Sequence, residues 1–186
     1  MTILVRTATL ADAGRLSRLA AATFRETFEG ENTPEDMARY VAESFGPERQ
    51  AAEIGDPAGT VLLAEHDAEL VGYAHLTSGP APAAVEGAAP LELKRLYVAR
   101  TWHGQGVAQA LMNAVLDAAR ARGAETLWLG VWERNPRAVA FYGKYGFARV
   151  GERTFVLGTD LQTDWILARQ LATPRADYPS SGARYA

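Results

Sequence analysis

Residues 91–111, LELKRLYVARTWHGQGVAQAL, carry an apolar strand into a glycine-bearing turn and directly on into an amphipathic helix. Leu91, Leu93, Leu96 and Val98 are apolar with charges between them, and the alternation breaks once, around Lys94 and Arg95. This is the pattern of a strand, with a bulge as the candidate explanation of the break. Val107, Ala110, Leu111, Ala114 and Ala118 then share one helical face, Arg120 and Arg122 lie in the last turn, and Gly123 stands where a left-handed stop belongs. The spacing predicts a helix start near His103 or Gly104. Such a start leaves unpaired backbone N–H groups with a partial positive charge, and Gly104, Gly106 and Ala108 leave them uncovered. An end of this kind holds a phosphate or pyrophosphate.

Two better-known phosphate motifs do not fit. There is no G-x-x-x-x-G-K-[ST], so a P-loop lacks its lysine, and Gln109 stands where a Rossmann turn needs its third small residue. A short glycine turn before a helix is also what an ordinary connection looks like.

At 186 residues the chain is long enough to bury a core without disulfides or metal, and one domain is expected over 1–172. The formal net charge of -3 and the mixture of both signs give no basic face of the kind nucleic acid requires. With no cysteine, a thiolate nucleophile and a thiolate metal site are excluded. His66, His75 and His103 have no metal-ligand spacing, so no metal is expected. No uncharged apolar run approaches the ~18 residues of a membrane span, and the first residues lack a leader pattern. The expected location is cytoplasmic, with neither membrane nor nucleic acid as partner.

Before the central unit, Ile3 and Val5 open a short strand, and Thr9 with Asp12 has capping-box spacing. Leu16, Leu19, Ala20, Thr23, Phe24, Thr27 and Phe28 recur at helical spacing, and Thr33, Pro34 and Asp36 start a second helix running to about Ser44. Glu26, Glu29, Glu31, Glu35 and Asp36 cluster at that junction, either as solvated faces and helix-dipole partners or as a cation-attracting wall. A short helix over PERQAAEI follows. Next comes an antiparallel pair over 61–64 and 70–76, joined at 66–69. Residues 78–90, SGPAPAAVEGAAP, form a loop, read as a lid or a plain linker.

After the central helix, TLWLGVW (126–132) reads as a buried strand, and Asn135 with Pro136 caps a short helix ending near Gly146. FARVGERTFVLGTDLQTDWILARQL (147–171) alternates like two further strands, and 173–186 reads as a flexible tail. The order is β-α-α-(short α)-β-β-β-α-β-α-β-β.

His103 to Ala108 resemble the acetyl-CoA-binding motif Q/R-x-x-G-x-G/A of the GCN5-related N-acetyltransferase superfamily, departing from it at His103. NPRAVAFYGKYGF (135–147) is similar to that superfamily's second motif, N-x-x-A-x-x-F-Y-x-K-x-G-F, at every named position. Within the superfamily, TFRETFEGENTPEDMARY, LELKRLYV, LWLGVWERNPRAVAFYGKYGF and QTD resemble Pai-type spermidine/spermine N-acetyltransferases over most of 15–170. The resemblance implies an α+β fold with a central, splayed, mixed but mostly antiparallel sheet flanked by helices. It implies acetyl-CoA as cosubstrate and direct attack by a neutral primary amine. A polyamine is the first acceptor; a protein N-terminus, an aminoglycoside, and a non-catalytic acyl-CoA-binding module are the alternatives. A homodimer is compatible with the superfamily.

On that resemblance, backbone groups of Leu96, Tyr97 and Val98 would hold the pantetheine, and His103, Gly104, Gln105, Gly106, Val107 and Ala108 the pyrophosphate. Asn135 would contact the pantetheine and Lys144 a phosphate. An alkylammonium with a pKa of ~10.4 must lose a proton, for which Glu92 is the first candidate base and Glu133 the second. A backbone N–H near Leu96 would stabilise the oxyanion. Tyr142 would protonate the departing thiolate, or donate a hydrogen bond to it. Phe28, Glu29, Glu31 and Asp36 are the candidate acceptor-binding residues.

Overall fold

The computed structural model describes residues 2–157 and 160–171. The tail expected over 173–186 lies outside the described residues. The elements follow the expected order: β1 (Leu4–Thr7), α1 (Ala13–Phe28), α2 (Pro34–Phe45), α3 (Pro47–Gly55), β2 (Gly59–His66), β3 (Glu69–Ser78), β4 (Pro90–Val98), α4 (Val107–Ala121), β5 (Thr126–Trp132), α5 (Pro136–Lys144), β6 (Ala148–Leu157) and β7 (Asp160–Gln170).

The seven strands form one sheet in the order β1-β2-β3-β4-β5-β7-β6. Among the described residues β4 and β5 pair in parallel, and the other neighbours pair antiparallel. One apolar cluster packs α4 against Leu62, Leu76, Leu93 and Leu129 of the strands. The other packs Leu16, Phe24, Met37 and Phe45 of α1 and α2 against Val61, Leu63 and Tyr73. A sheet covered on both faces in this way accounts for β5 reading as a nearly continuous apolar run rather than an alternating one.

Local chemistry fixes the ends of these elements. Thr9 N–H donates to Asp12 Oδ2 at 2.8 Å, closing the expected capping box, and Arg6 donates to both oxygens of the same carboxylate at 2.8 Å. Those Arg6 bonds hold the Asp12 carboxyl well below the usual range. The β2–β3 hairpin turns on Asp67 and Ala68, both left-handed (φ 46° and 65°), which a two-residue type I′ turn requires.

Two features of the central strand create the site. Only 90–92 of β4 pair with β5, so the two strands diverge beyond Glu92 and leave a wedge open to solvent. Opposite His75 and Leu76 the β3–β4 register also shifts, leaving Lys94 as an extra residue; this is the bulge that the broken alternation marked.

The helix start differs from expectation. Residues 100–102 form a 3-10 turn, His103 remains extended, and α4 begins at Val107 behind a left-handed Gly106. Two left-handed glycines, Gly104 and Gly106 (φ 77° and 85°), interrupt the chain there, so no helix can run through 103–106. The 78–90 loop does not serve as a lid over the wedge. Thr126 and Gln170 both donate to the Glu86 carbonyl at 3.0 Å, fastening the loop to the ends of β5 and β7.

Candidate active site

Two cavities open along the wedge. The first, of about 490 Å³, lies between α1, α2, β4, β5 and β6. Its walls are aromatic, from Phe24, Phe28, Tyr40, Phe45, Trp132 and Phe155, and Glu92, Lys94, Arg95, Arg153 and Asp164 supply charge. The second, of about 430 Å³, runs along the outer half of β4 to the start of α4, with α5 opposite. Thr27, Leu96, Tyr97, Asn135, Ala138 and Tyr142 line both. Molecules occupying the two cavities would meet at that shared wall.

The second cavity has the character of an anion site. The first bond within α4 runs from Ala110 N–H to the Gly106 carbonyl, which leaves the N–H groups of Val107, Ala108 and Gln109 without a partner inside the helix. A Cβ at Gly104 or Gly106 would meet nothing within 4 Å, so glycine is required there for the left-handed backbone and not for space. Lys144 and Arg137 add positive side chains to the wall. Arg137 is a residue that sequence reading overlooked, although it lies inside the second motif.

His103 lines the wall with both ring nitrogens engaged. Nε2 stands 2.9 Å from the Val98 carbonyl, which can only accept, and Arg137 Nη1 donates to Nδ1 at 2.8 Å. The ring therefore carries its proton on Nε2 and ties the end of β4 to α5. Gln105 is not on the cavity wall; its side-chain amide donates back to the Thr101 carbonyl at 2.8 Å. Asn135 caps α5 by accepting from Ala138 N–H at 3.1 Å, which positions it on the shared wall. Leu96, Tyr97 and Val98 occupy the stretch of β4 that has left β5, so backbone groups on that edge are free of a neighbouring strand.

Of the candidate bases, Glu92 lies on the wall of the first cavity and is the last residue of β4 paired with β5. Arg153 Nη1 stands 3.5 Å from its Oε1. Glu133 is exposed and lines neither large cavity. A second carboxylate that sequence reading missed, Asp164 on β7, does reach the cavity; burial raises its pKa above the ordinary aspartate value, with Arg153 opposing. The Asp in the otherwise apolar DWIL of β7 was the available signal.

Tyr142 is buried and lines both cavities, and burial alone pushes its phenol well above the usual value. Phe28 lines the first cavity. Glu29 and Asp36 do not. Asp36 is buried at the start of α2, where its N–H donates to Thr33 Oγ1 at 3.2 Å and its carboxylate accepts from the same hydroxyl at 3.1 Å. The Glu31 side chain lies outside the described residues.

Behind the first cavity, Glu53 of α3 binds the bulge. Neighbouring residues of a regular strand point to opposite faces. Because Lys94 is extra, both it and Arg95 reach Glu53, at 3.2 and 2.5 Å. Burial pushes the Glu53 carboxyl up, but Arg95, His75 and Lys94 outweigh it and leave it below the ordinary value. Arg95 also lies over the Phe45 ring, 4.9 Å from its centre.

The sequence profile of the Acetyltransferase (GNAT) family matches residues 19–147. The chain is 38% identical over 162 residues to an uncharacterized N-acetyltransferase of Mycobacterium tuberculosis (strain ATCC 25618 / H37Rv), covering 87% of this chain and 99% of that one. In fold it is similar to the PaiA N-acetyltransferase of Thermoplasma acidophilum solved with coenzyme A (TM-score 0.72, 21% identity, 91% and 99% of the two chains). It is similar also to yncA of Salmonella typhimurium solved with its cofactor acetyl-CoA (TM-score 0.66, 19% identity, 95% and 99%). The chain belongs to the GNAT acetyltransferase family. It is an acetyl-CoA-dependent N-acetyltransferase.

Proposed function

We propose that this chain acetylates the primary amine of a small molecule held in the first cavity, by direct attack on acetyl-CoA held in the second. The observation that carries this reading is the wall the two cavities share, with Tyr142 in it.

On this reading the N–H groups at the start of α4, with Arg137 and Lys144, hold the phosphates, and the free edge of β4 from Leu96 to Val98 aligns the pantetheine. A backbone N–H of that edge faces the developing oxyanion. The amine arrives as an ammonium, and its proton goes to Glu92 or Asp164, the two carboxylates on the cavity wall. The amine nitrogen then forms a bond to the acetyl carbon, the carbon–sulfur bond breaks, and the second nitrogen proton passes to the departing sulfur, so that CoA leaves as the thiol. Tyr142 donates to the sulfur. Since burial raises its pKa above the ~10 of a free phenol, and a thiol sits near 8.5, hydrogen-bond donation is favoured over complete proton transfer.

The polyamine expected from resemblance calls for an acidic lining, and Glu29 and Asp36 do not line the cavity. The cavity supports a smaller amine with an apolar body. The experiment is CoA release from acetyl-CoA against a panel of amino acids, aralkylamines, spermidine, aminoglycosides and short peptides. Turnover of a small amine, reduced about 100-fold or more in Tyr142→Phe, is the expected result. Tight acetyl-CoA binding without turnover of any amine would leave the acyl-CoA-binding module as the better reading.

A further inference from the structure

The charged groups of the acceptor cavity are of mixed sign, and they balance. Lys94, Arg95 and Arg153 face Glu92 and Asp164 on the wall, with Glu53 behind it. Lys94 and Arg95 are already taken by Glu53. Arg153 is held differently. Its Nη1 stands 3.5 Å from Glu92 and its Nε 3.6 Å from Asp164, both longer than the 2.7–2.9 Å of a good charge-assisted bond, and its side chain is 37% exposed. Its guanidinium lies 5.7 Å from the centre of the Trp128 ring. It occupies a slot created by Gly130, where a Cβ would run into the guanidinium itself. The fork thus keeps donors to give to a ligand, between two carboxylates and beside aromatic walls.

A polycation would find three cations and only two acids on the wall, both shared with Arg153. A zwitterion finds complementary groups: carboxylates for its ammonium, a planar fork for its carboxylate, and rings for an apolar side chain. We propose that Arg153 is a specificity-determining residue that binds the carboxylate of the acceptor, and that the acceptor is an apolar or aromatic amino acid. This rests on the amine acetyltransferase reading above. The group transfer is the same: the α-ammonium gives one proton to a cavity carboxylate, its nitrogen forms the C–N bond as the C–S bond breaks, and the second nitrogen proton passes to the departing sulfur, so that CoA leaves as the thiol.

The test compares kcat/KM for each apolar and aromatic amino acid with that for the amine lacking its carboxylate, such as phenylalanine against 2-phenylethylamine, with spermidine alongside. Two variants are measured: Arg153→Gln, which removes the charge, and Gly130→Ala, which keeps the charge but displaces the guanidinium. The wild type is expected to prefer the carboxylate-bearing amine by about tenfold or more, the worth of a charge-assisted bond, and both variants to bring that ratio toward one. The proposal is overturned if the wild type shows no such preference, or if the preference survives in both variants. Turnover of spermidine but of no amino acid would overturn it while leaving acetyltransfer to amines intact; turnover of no amine would overturn both.

Discussion

Replacing Glu53 with alanine should cost both stability and catalysis, although Glu53 lines neither large cavity. The Glu53 and Arg95 side chains are 8% and 9% exposed, so the substitution leaves Arg95 as a buried cation without its carboxylate. Breaking a buried pair from one side costs about 3–5 kcal/mol. Lys94 and Arg49, 33% and 54% exposed, add little, because exposed pairs contribute about 0–1 kcal/mol. About 3–5 kcal/mol is therefore expected, which for a chain of this size lowers Tm by roughly 6–20 °C. Glu53 also holds Lys94 and Arg95 together, and with them the bulge that lies just beyond the point where β4 leaves β5. Relaxation of the bulge displaces residues 95–98, and misplacement of about 1 Å can cost 100-fold in rate. Urea unfolding and kcat/KM for acetyl-CoA on the same samples test both parts. A loss below about 1 kcal/mol would refute the buried-pair argument, and a large loss of stability with unchanged kcat/KM would refute the positioning argument.

Stability should fall between about pH 6.5 and pH 4 because of His75. Burial pushes its imidazole down to about 4, against the opposing pull of Glu53, so in that window the unfolded chain binds the proton and the folded one does not. Facing groups are Glu53, Arg95, Lys94 and Asp56. The contribution is present above the unfolded value of ~6.5 and is lost as pH falls to the folded value, a span worth roughly 3 kcal/mol. Urea midpoints across pH should flatten in His75→Gln; an unchanged slope would assign the effect elsewhere. Ala68→Gly should raise Tm by about 1–4 °C, because alanine in the left-handed region costs about 1–2 kcal/mol and glycine's extra unfolded freedom offsets only part of that. A lower Tm in that variant would show that the turn is not strained at Ala68.

The parts of the site that were legible in the sequence are those whose signals are local. A left-handed turn needs glycine within a residue or two, a helix N-terminus needs its cap beside it, and the second motif puts Asn135, Tyr142 and Lys144 on one short helix. The bulge could also be read, because two adjacent charges broke a strand's alternation at Lys94 and Arg95. What could not be read is pairing across the chain. Glu53 meets Arg95 from 42 residues away and Arg153 meets Glu92 from 61. Neither separation leaves a periodicity to detect. The acidic cluster misled for a physical reason. Acids at a helix start have local work to do, and Asp36 closes the start of α2 instead of facing a ligand. The helix starts later than its spacing predicts because a 3-10 turn and two left-handed glycines intervene between β4 and α4.

The central claim is that both reactants sit at the shared wall together and that the acetyl group passes directly between them. Initial rates with acetyl-CoA and the best amine varied together test this most directly. Double-reciprocal lines that intersect, with no acetylated protein after incubation with acetyl-CoA alone, are the result the account predicts. Parallel lines, together with an acetyl-enzyme isolated in the absence of amine, would contradict it.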